Sequence, residues 1–237
     1  MARLEVDGIH TAYGLSKVLF GVSLTVEPGE VVALVGRNGV GKTTTMRSIM
    51  GLAPPRQGSV CWMDRDITGM PVHHVARLGI GYVPEDRRIF PELTVWENLD
   101  IARRPPIDDE NGEGWSEDQV FELFPDLKAI QSRQGGVLSG GQQQMLTIAR
   151  SLMGNPKLLL LDEPSEGLAP IVVETLRDRI NLLKEGGLSI VLAEQNLDFV
   201  LFLSDRIHIL EKGEIQYTGT PEDLRANTDI QTKYLTL

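Results

Sequence analysis

The stretch VVALVGRNGVGKTTT, residues 31–45, decides the fold. Val31 to Val35 is apolar without alternation, which reads as a strand covered on both faces. Gly36 then opens the pattern G-x-x-x-x-G-K-T, closing at Thr43, and a helix is expected after Gly41. Glycines let the backbone wrap a phosphate chain with its N–H groups, and the helix N-terminus adds positive potential at the same place. Gly36, Arg37, Asn38, Gly39, Val40, Gly41, Lys42, Thr43 and Thr44 are therefore the candidate residues for binding a nucleoside triphosphate. Lys42 is expected to reach the β- and γ-phosphates, and the Thr43 hydroxyl to bind Mg2+.

Working outward, LLLLDEP (158–164) reads as a second buried strand, expected beside the first, that carries two acids to the sheet edge. Asp162 is the candidate Mg2+ ligand, and Glu163 the candidate catalytic group that orients or deprotonates the attacking water. LSIVLA (188–193) is a third strand of parallel type, and the polar EQN after it raises the question of what Gln195 holds. Strand, helix, strand, helix, strand argues for a parallel sheet flanked by helices.

Other segments fill in the order. LEV and SLTV near the N-terminus read as strands, and Pro28-Gly29 as a turn. Residues 103–118, rich in Pro, Gly and acids, mark a surface loop inside a helical insertion of about 89–138. The helix from Gln142 places Met145, Ala149 and Leu152 on one face, with the neighbours of Gln142 in QQQ expected to face solvent. Pro170 opens a helix that ends at Gly186-Gly187, and RIHIL with EIQYTG reads as a hairpin about Lys212-Gly213. In TPED, Thr220 is the expected N-cap of a C-terminal helix, with Pro at the first position and an acid at the third.

Bulk properties narrow the partners. The chain has 237 residues, a formal charge of −10 and a sequence pI near 4.9. That balance argues against nucleic acid as a partner, since no basic footprint is visible. It also argues against adsorption on anionic lipid. No apolar run approaches the roughly 18–20 residues that span a bilayer, so direct membrane insertion is not expected. The single cysteine, Cys61, reads as a small buried residue, and His73-His74 as structural or surface residues rather than metal ligands.

LSGGQQQ (138–144) adds a second phosphate-sized nest, Ser139, Gly140 and Gly141 before a helix, with Gln142 completing it. One nucleotide hardly needs two such nests from the same chain; a second makes sense facing the γ-phosphate held by another subunit. LSGGQ between a P-loop and a LLLLDE strand resembles the ATP-binding subunit of an ABC transporter, and the resemblance covers essentially the whole chain. It implies an α/β fold with a P-loop (RecA-like) core of mainly parallel sheet, an antiparallel β subdomain and an inserted α-helical subdomain. The expected division is one ABC ATPase domain over 1–237. Its nucleotide-binding core, with the β subdomain, takes about 1–88 and 139–237, and the helical subdomain about 89–138.

The resemblance further implies that Tyr13 stacks on adenine and that PSEGLAP (164–170) communicates across a dimer, although the more usual S-A-L-D spelling is absent. Two positions depart from the family pattern. Glu85 stands where most members carry Gln, and Gln195 where most carry His; both are expected near Mg2+ and the γ-phosphate and join Glu163 as candidate catalytic residues. Glu85 still offers oxygen to a hard cation. Gln195 still donates a hydrogen bond but cannot become a cation.

GRNGVGKTTTMRSIMGL, YVPEDRRIFPELTVWENL and LAEQN are similar to the smaller ATPase of branched-chain amino-acid importers and of the related urea importers. That likeness implies ATP and Mg2+ as cofactors. The implied partners are a second ABC ATPase subunit, two transmembrane permease subunits and, indirectly, an extracytoplasmic solute-binding protein. The implied place is peripheral, on the cytoplasmic face of the cell membrane. Two rival readings are a soluble ABC ATPase outside transport and a nucleotide sensor that scarcely hydrolyses.

Overall fold

The computed structural model describes residues 3–105 and 114–234. Leu4–His10 (β1), Ala12–Tyr13 (β2), Ser16–Lys17 (β3) and Val22–Val26 (β4) precede the P-loop strand Val31–Val35 (β5). Every residue of β5 is buried, whereas β4 alternates as a strand covered on one face does. Lys42–Ile49 (α1) follows the glycine loop; Gln57–Trp62 (β6), Arg65–Asp66 (β7), Val72–Arg77 (α2) and Ile80–Val83 (β8) come next.

Val95–Asp100 (α3), Glu117–Leu123 (α4), Pro125–Ala129 (α5) and Gly140–Leu152 (α6) separate β8 from Leu158–Asp162 (β9). The remainder is Pro170–Glu185 (α7), Ser189–Glu194 (β10), Leu197–Leu203 (α8), Arg206–Glu211 (β11), Glu214–Gly219 (β12), Pro221–Ala226 (α9) and Thr228–Tyr234 (α10). Local chemistry sets the helix starts. Thr94, Ser116, Ser139 and Thr220 each cap a helix through a reciprocal capping box, and Pro170 takes the first turn of α7.

The main sheet runs β12-β11-β5-β10-β9-β8, parallel except for the β11–β12 hairpin, and a second antiparallel sheet runs β4-β1-β6-β7. β9 is not beside the P-loop strand, contrary to the expectation from sequence. β10 lies between them, with Ala193 opposite both Leu34 and Asp162. Three fully buried apolar strands carry no pattern that orders them; the α7 crossover delivers β10 parallel to β9 in the central slot. The carboxyl ends of β5, β10 and β9 thus meet at one edge.

The sheet divides two apolar layers. Val31, Ala33 and Val35 face the helices α3–α8, while Val32 and Leu34 face α1 and the antiparallel sheet. Burying each leucine of β9 contributes about 2 kcal/mol, so both faces of this strand anchor the acids at its tip.

Two further expectations give way. Gln144 is buried, because positions 141, 144, 145, 148 and 152 form the inward face of α6. Cys61 is only half-buried, since Val60 and Trp62 take the covered positions on β6. The reading of 103–118 as a loop falls partly outside the described residues; within them, α4 begins at Glu117. His73 and His74 are both exposed on α2, with ring centroids 4.2 Å apart.

Candidate functional site

The site begins where the P-loop leaves β5. A Cβ added to Gly36 would fall inside contact distance of the Leu210 carbonyl oxygen, and one on Gly41 would lie 2.7 Å from the Leu19 Cδ2. Gly41 also takes φ 117, so no other residue fits that turn. Lys42, at the start of α1, is buried and turns back over the loop. Its Nζ donates to the carbonyls of Gly36 (2.6 Å) and Arg37 (3.0 Å), and pairs with Glu163 Oε1 at 3.0 Å.

Asp162 ends β9 fully buried. The Thr43 hydroxyl donates to its Oδ1 (3.0 Å) and the Tyr82 hydroxyl to its Oδ2 (2.9 Å). Burial pushes the Asp162 carboxyl upward; these two hydrogen bonds oppose the shift, and the charges of Glu163 and Glu85 add to it. Burial likewise drives the Tyr82 hydroxyl up, with the Asp162 charge behind it.

Glu163 takes the left-handed φ of 48, unusual for a side-chain-bearing residue, and its N–H donates to the Ala193 carbonyl at 2.9 Å. Burial alone would raise its carboxyl. Hydrogen bonds from Gln195 and Glu166, with the Lys42 ammonium, outweigh burial and hold it below the usual carboxylate range. Glu166 moves the other way, pushed up to about 7 by its bond to Glu163, then by burial and by the charges of Glu163, Glu85 and Glu194.

Gln195, just past β10, answers the question its position raised. Its Nε2 donates to Asn38 Oδ1 (2.8 Å) on the P-loop and to Glu163 Oε2 (2.7 Å). Two donors on one nitrogen make this bridge, which neutral imidazole, with one N–H, cannot reproduce.

A cavity of 290 Å³ opens over the loop, lined by Asn38, Gly39, Lys42, Thr43 and Thr44 together with Glu85 and Glu163. Tyr13 is not among its lining residues; it is exposed on β2, and its hydroxyl bonds and raises the Arg47 guanidinium on α1. Ser139, Gly140, Gly141 and Gln142 do not line it either. They form the capped start of α6, where the Ser139 Oγ accepts from the Gln142 N–H at 3.3 Å.

Some participants were not anticipated from sequence. Tyr82 sits on β8, 80 residues from the Asp162 it bonds. Arg87, at φ 59, places its Nη1 2.7 Å from where a Cβ on Gly140 would be and donates from Nη2 to the Glu166 carbonyl at 3.2 Å. It touches both the capped turn and the loop after Glu163. A pair of cationic residues, Arg87-Arg88, two positions beyond Glu85 was the available signal.

Residues 19–166 match the ABC transporter family model. The chain is 41% identical over 232 residues, 98% of its length and 99% of the relative's, to the high-affinity branched-chain amino acid transport ATP-binding protein BraG of Pseudomonas aeruginosa. It is 36% identical over 237 residues, covering 99% and 98%, to the lipopolysaccharide export system ATP-binding protein LptB of Escherichia coli. Its fold is similar to a crystallised ATP-binding cassette of an ABC transporter in the ADP conformation, with TM-score 0.80, 28% identity and 98% of both chains covered. The chain belongs to the ABC transporter family, as an ATP-binding subunit that hydrolyses ATP.

Proposed function

We propose that this chain drives an importer of branched-chain, hydrophobic amino acids. The observation that carries this reading is the 41% identity to BraG over nearly the full length of both chains. The chain works with a second ABC ATPase subunit and two permease subunits, supplied from outside by a solute-binding protein. It sits peripherally on the cytoplasmic membrane face; among the described residues no helix is long and apolar enough to cross a membrane.

The P-loop N–H groups and Lys42 bind the β- and γ-phosphates of ATP, with Lys42 exchanging a carbonyl or carboxylate partner for phosphate oxygen. The Thr43 hydroxyl and Asp162 carboxylate, 3.0 Å apart, are hard oxygen donors that suit Mg2+, and Glu85 adds a third oxygen donor at the cavity wall. Held by these residues, Mg2+ would supply neutralisation of the charge that develops on the phosphate oxygens. Glu163, kept ionised by Lys42 and Gln195, accepts the proton of the attacking water. Gln195 turns to the γ-phosphate the amide hydrogen it otherwise gives Asn38, keeping its bond to Glu163, and Tyr13 offers its ring to adenine. Ser139 to Gln142 cap the nucleotide of the neighbouring ATPase, so two half-sites close head to tail. The helical segment about 89–138 moves as a subdomain and passes that closure to the permease.

Reconstitution with co-purifying membrane subunits and a binding protein tests the substrate. Leucine-type amino acids are expected to stimulate ATP hydrolysis. Stimulation by urea alone moves the chain to the urea importers, and stimulation by lipopolysaccharide alone to the export reading favoured by the 36% identity to LptB.

A further inference from the structure

Glu194 closes β10 with only 2% of its surface exposed. Its Oε1 accepts from the Ser165 N–H at 2.8 Å, and its Oε2 from the N–H groups of Gln195 (3.0 Å) and Asn196 (3.2 Å). A carboxylate without such partners would be costly to bury, and hydrogen bonds to an ionised acceptor are roughly twice as strong as neutral ones. Three backbone donors from two loops converge on one group. An amide in its place offers a single oxygen and would set its own NH2 against donors on one side.

The two loops are those that meet over the cavity. Ser165 lies two residues beyond Glu163, whose left-handed backbone needs support from outside its own turn. Gln195 carries the amide that joins Asn38 to Glu163. The donors on Glu194 therefore fix both ends of the Gln195–Glu163 bond.

We propose that Glu194 is a positioning residue for ATP hydrolysis: its buried carboxylate staples the loop after β9 to the turn after β10 and sets the spacing of Glu163 and Gln195. This rests on the reading of Glu163 as the base and Gln195 as the phosphate donor. The hydrogen bonds to Glu194 come from Ser165, Gln195 and Asn196, whereas Lys42 and Thr43 lie on α1, so its effect is assigned to turnover rather than nucleotide affinity.

The test is a double-mutant cycle in the transporter that co-purifies with the chain, pairing Glu194→Gln with Gln195→Ala. Glu194→Gln is expected to lower kcat by about 10- to 100-fold, as misplacement of a reacting group by about 1 Å does, while KM for ATP stays within about twofold. In that background Gln195→Ala is expected to cost less than in the wild type, because the bond it removes is already misplaced. A purely structural role predicts instead a lowered unfolding temperature with costs in kcat that multiply, and that result overturns the proposal. If Glu194→Gln does not fold, Glu194→Asp, which keeps the charge and reaches one loop, must show the same kcat-against-KM split. Glu163→Gln is run alongside. Wild-type turnover in that variant removes the catalytic assignment and the positioning role together; abolished turnover there with unchanged kcat in Glu194→Gln removes the positioning role alone.

Discussion

Three oxygens compete for the Lys42 ammonium, those of Gly36, Arg37 and Glu163, and a phosphate entering the loop must replace at least one of them. The Glu163 pair is the consequential one, since its release leaves the carboxylate to its other partners, Gln195 and Glu166. Glu163→Gln removes both the proposed base and the charge that competes for Lys42. Turnover in the assembled transporter is expected to fall by on the order of 10²–10⁴. Calorimetry with a non-hydrolysable ATP analogue is expected to show binding as tight as the wild type or tighter. Unchanged turnover would refute the catalytic role. Gln195→His asks a different question. Imidazole cannot donate from one nitrogen to both Asn38 and Glu163, so the variant should alter turnover while analogue affinity stays within about threefold. A large loss of binding would show that Gln195 holds nucleotide rather than serving hydrolysis.

Between elements, the segment Asp86–Arg88 is where the P-loop half of the chain is tied to α6. Arg87 and Arg88 both take left-handed φ, 59 and 35, and α6 grips their carbonyls: the Thr147 hydroxyl donates to Arg87 O and Arg150 to Arg88 O, each at 2.6 Å. From that clamped turn the Arg87 guanidinium reaches Gly140 and the Glu166 carbonyl. Arg87→Ala should leave the unfolding temperature nearly unchanged, since the group is at the surface, yet lower transporter ATP hydrolysis by about 3- to 10-fold through lost coupling between the loops. Equal turnover in the two proteins would reduce Arg87 to a packing residue. Legibility in the sequence divides along the same line. Capping boxes, the Pro170 start and the Lys212-Gly213 turn are local chemistry, and their elements appear where the residues place them. That Lys42, Thr43, Asp162 and Glu163 meet at one sheet edge was readable because each belongs to a short motif at the end of a buried strand. The Tyr82–Asp162 bond and the hold of Glu194 on Ser165 were not, for those partners arrive through strand order, and uniformly apolar strands such as β5, β9 and β10 do not reveal which neighbours they take. Arg87 escaped for a related reason: nothing in EDRR says that two consecutive residues adopt a glycine-like backbone.

For the whole molecule, the sheet that carries the site also determines how the fold responds to acid. β11 lies against β5 and pairs on its other side with β12, and it buries His208 between them with Nδ1 2.8 Å from the Thr218 hydroxyl. Burial, helped by the nearby Arg206 charge, lowers this imidazole to about 4. Its folded value lies below the roughly 6.5 of an unfolded histidine. Above pH 6.5 the ring is neutral in both states and stability is at its full value. As pH falls toward 4 the unfolded chain takes up a proton that the fold refuses, so stability is lost across that window and the loss levels off below it. At pH 5 the cost is about 2 kcal/mol. The Asp162 and Glu163 carboxyls are shifted too, the first upward by burial and the second downward by its hydrogen bonds and Lys42, so a single pH profile mixes several groups. Comparison with His208→Gln isolates the imidazole, since glutamine retains a polar group for Thr218 without the titration. Urea unfolding at pH 7 and pH 5 should show the wild type losing about 2 kcal/mol more than the variant over that interval. Equal losses in the two proteins would mean that the fold admits the proton, with His208 opening to water before the sheet itself unfolds.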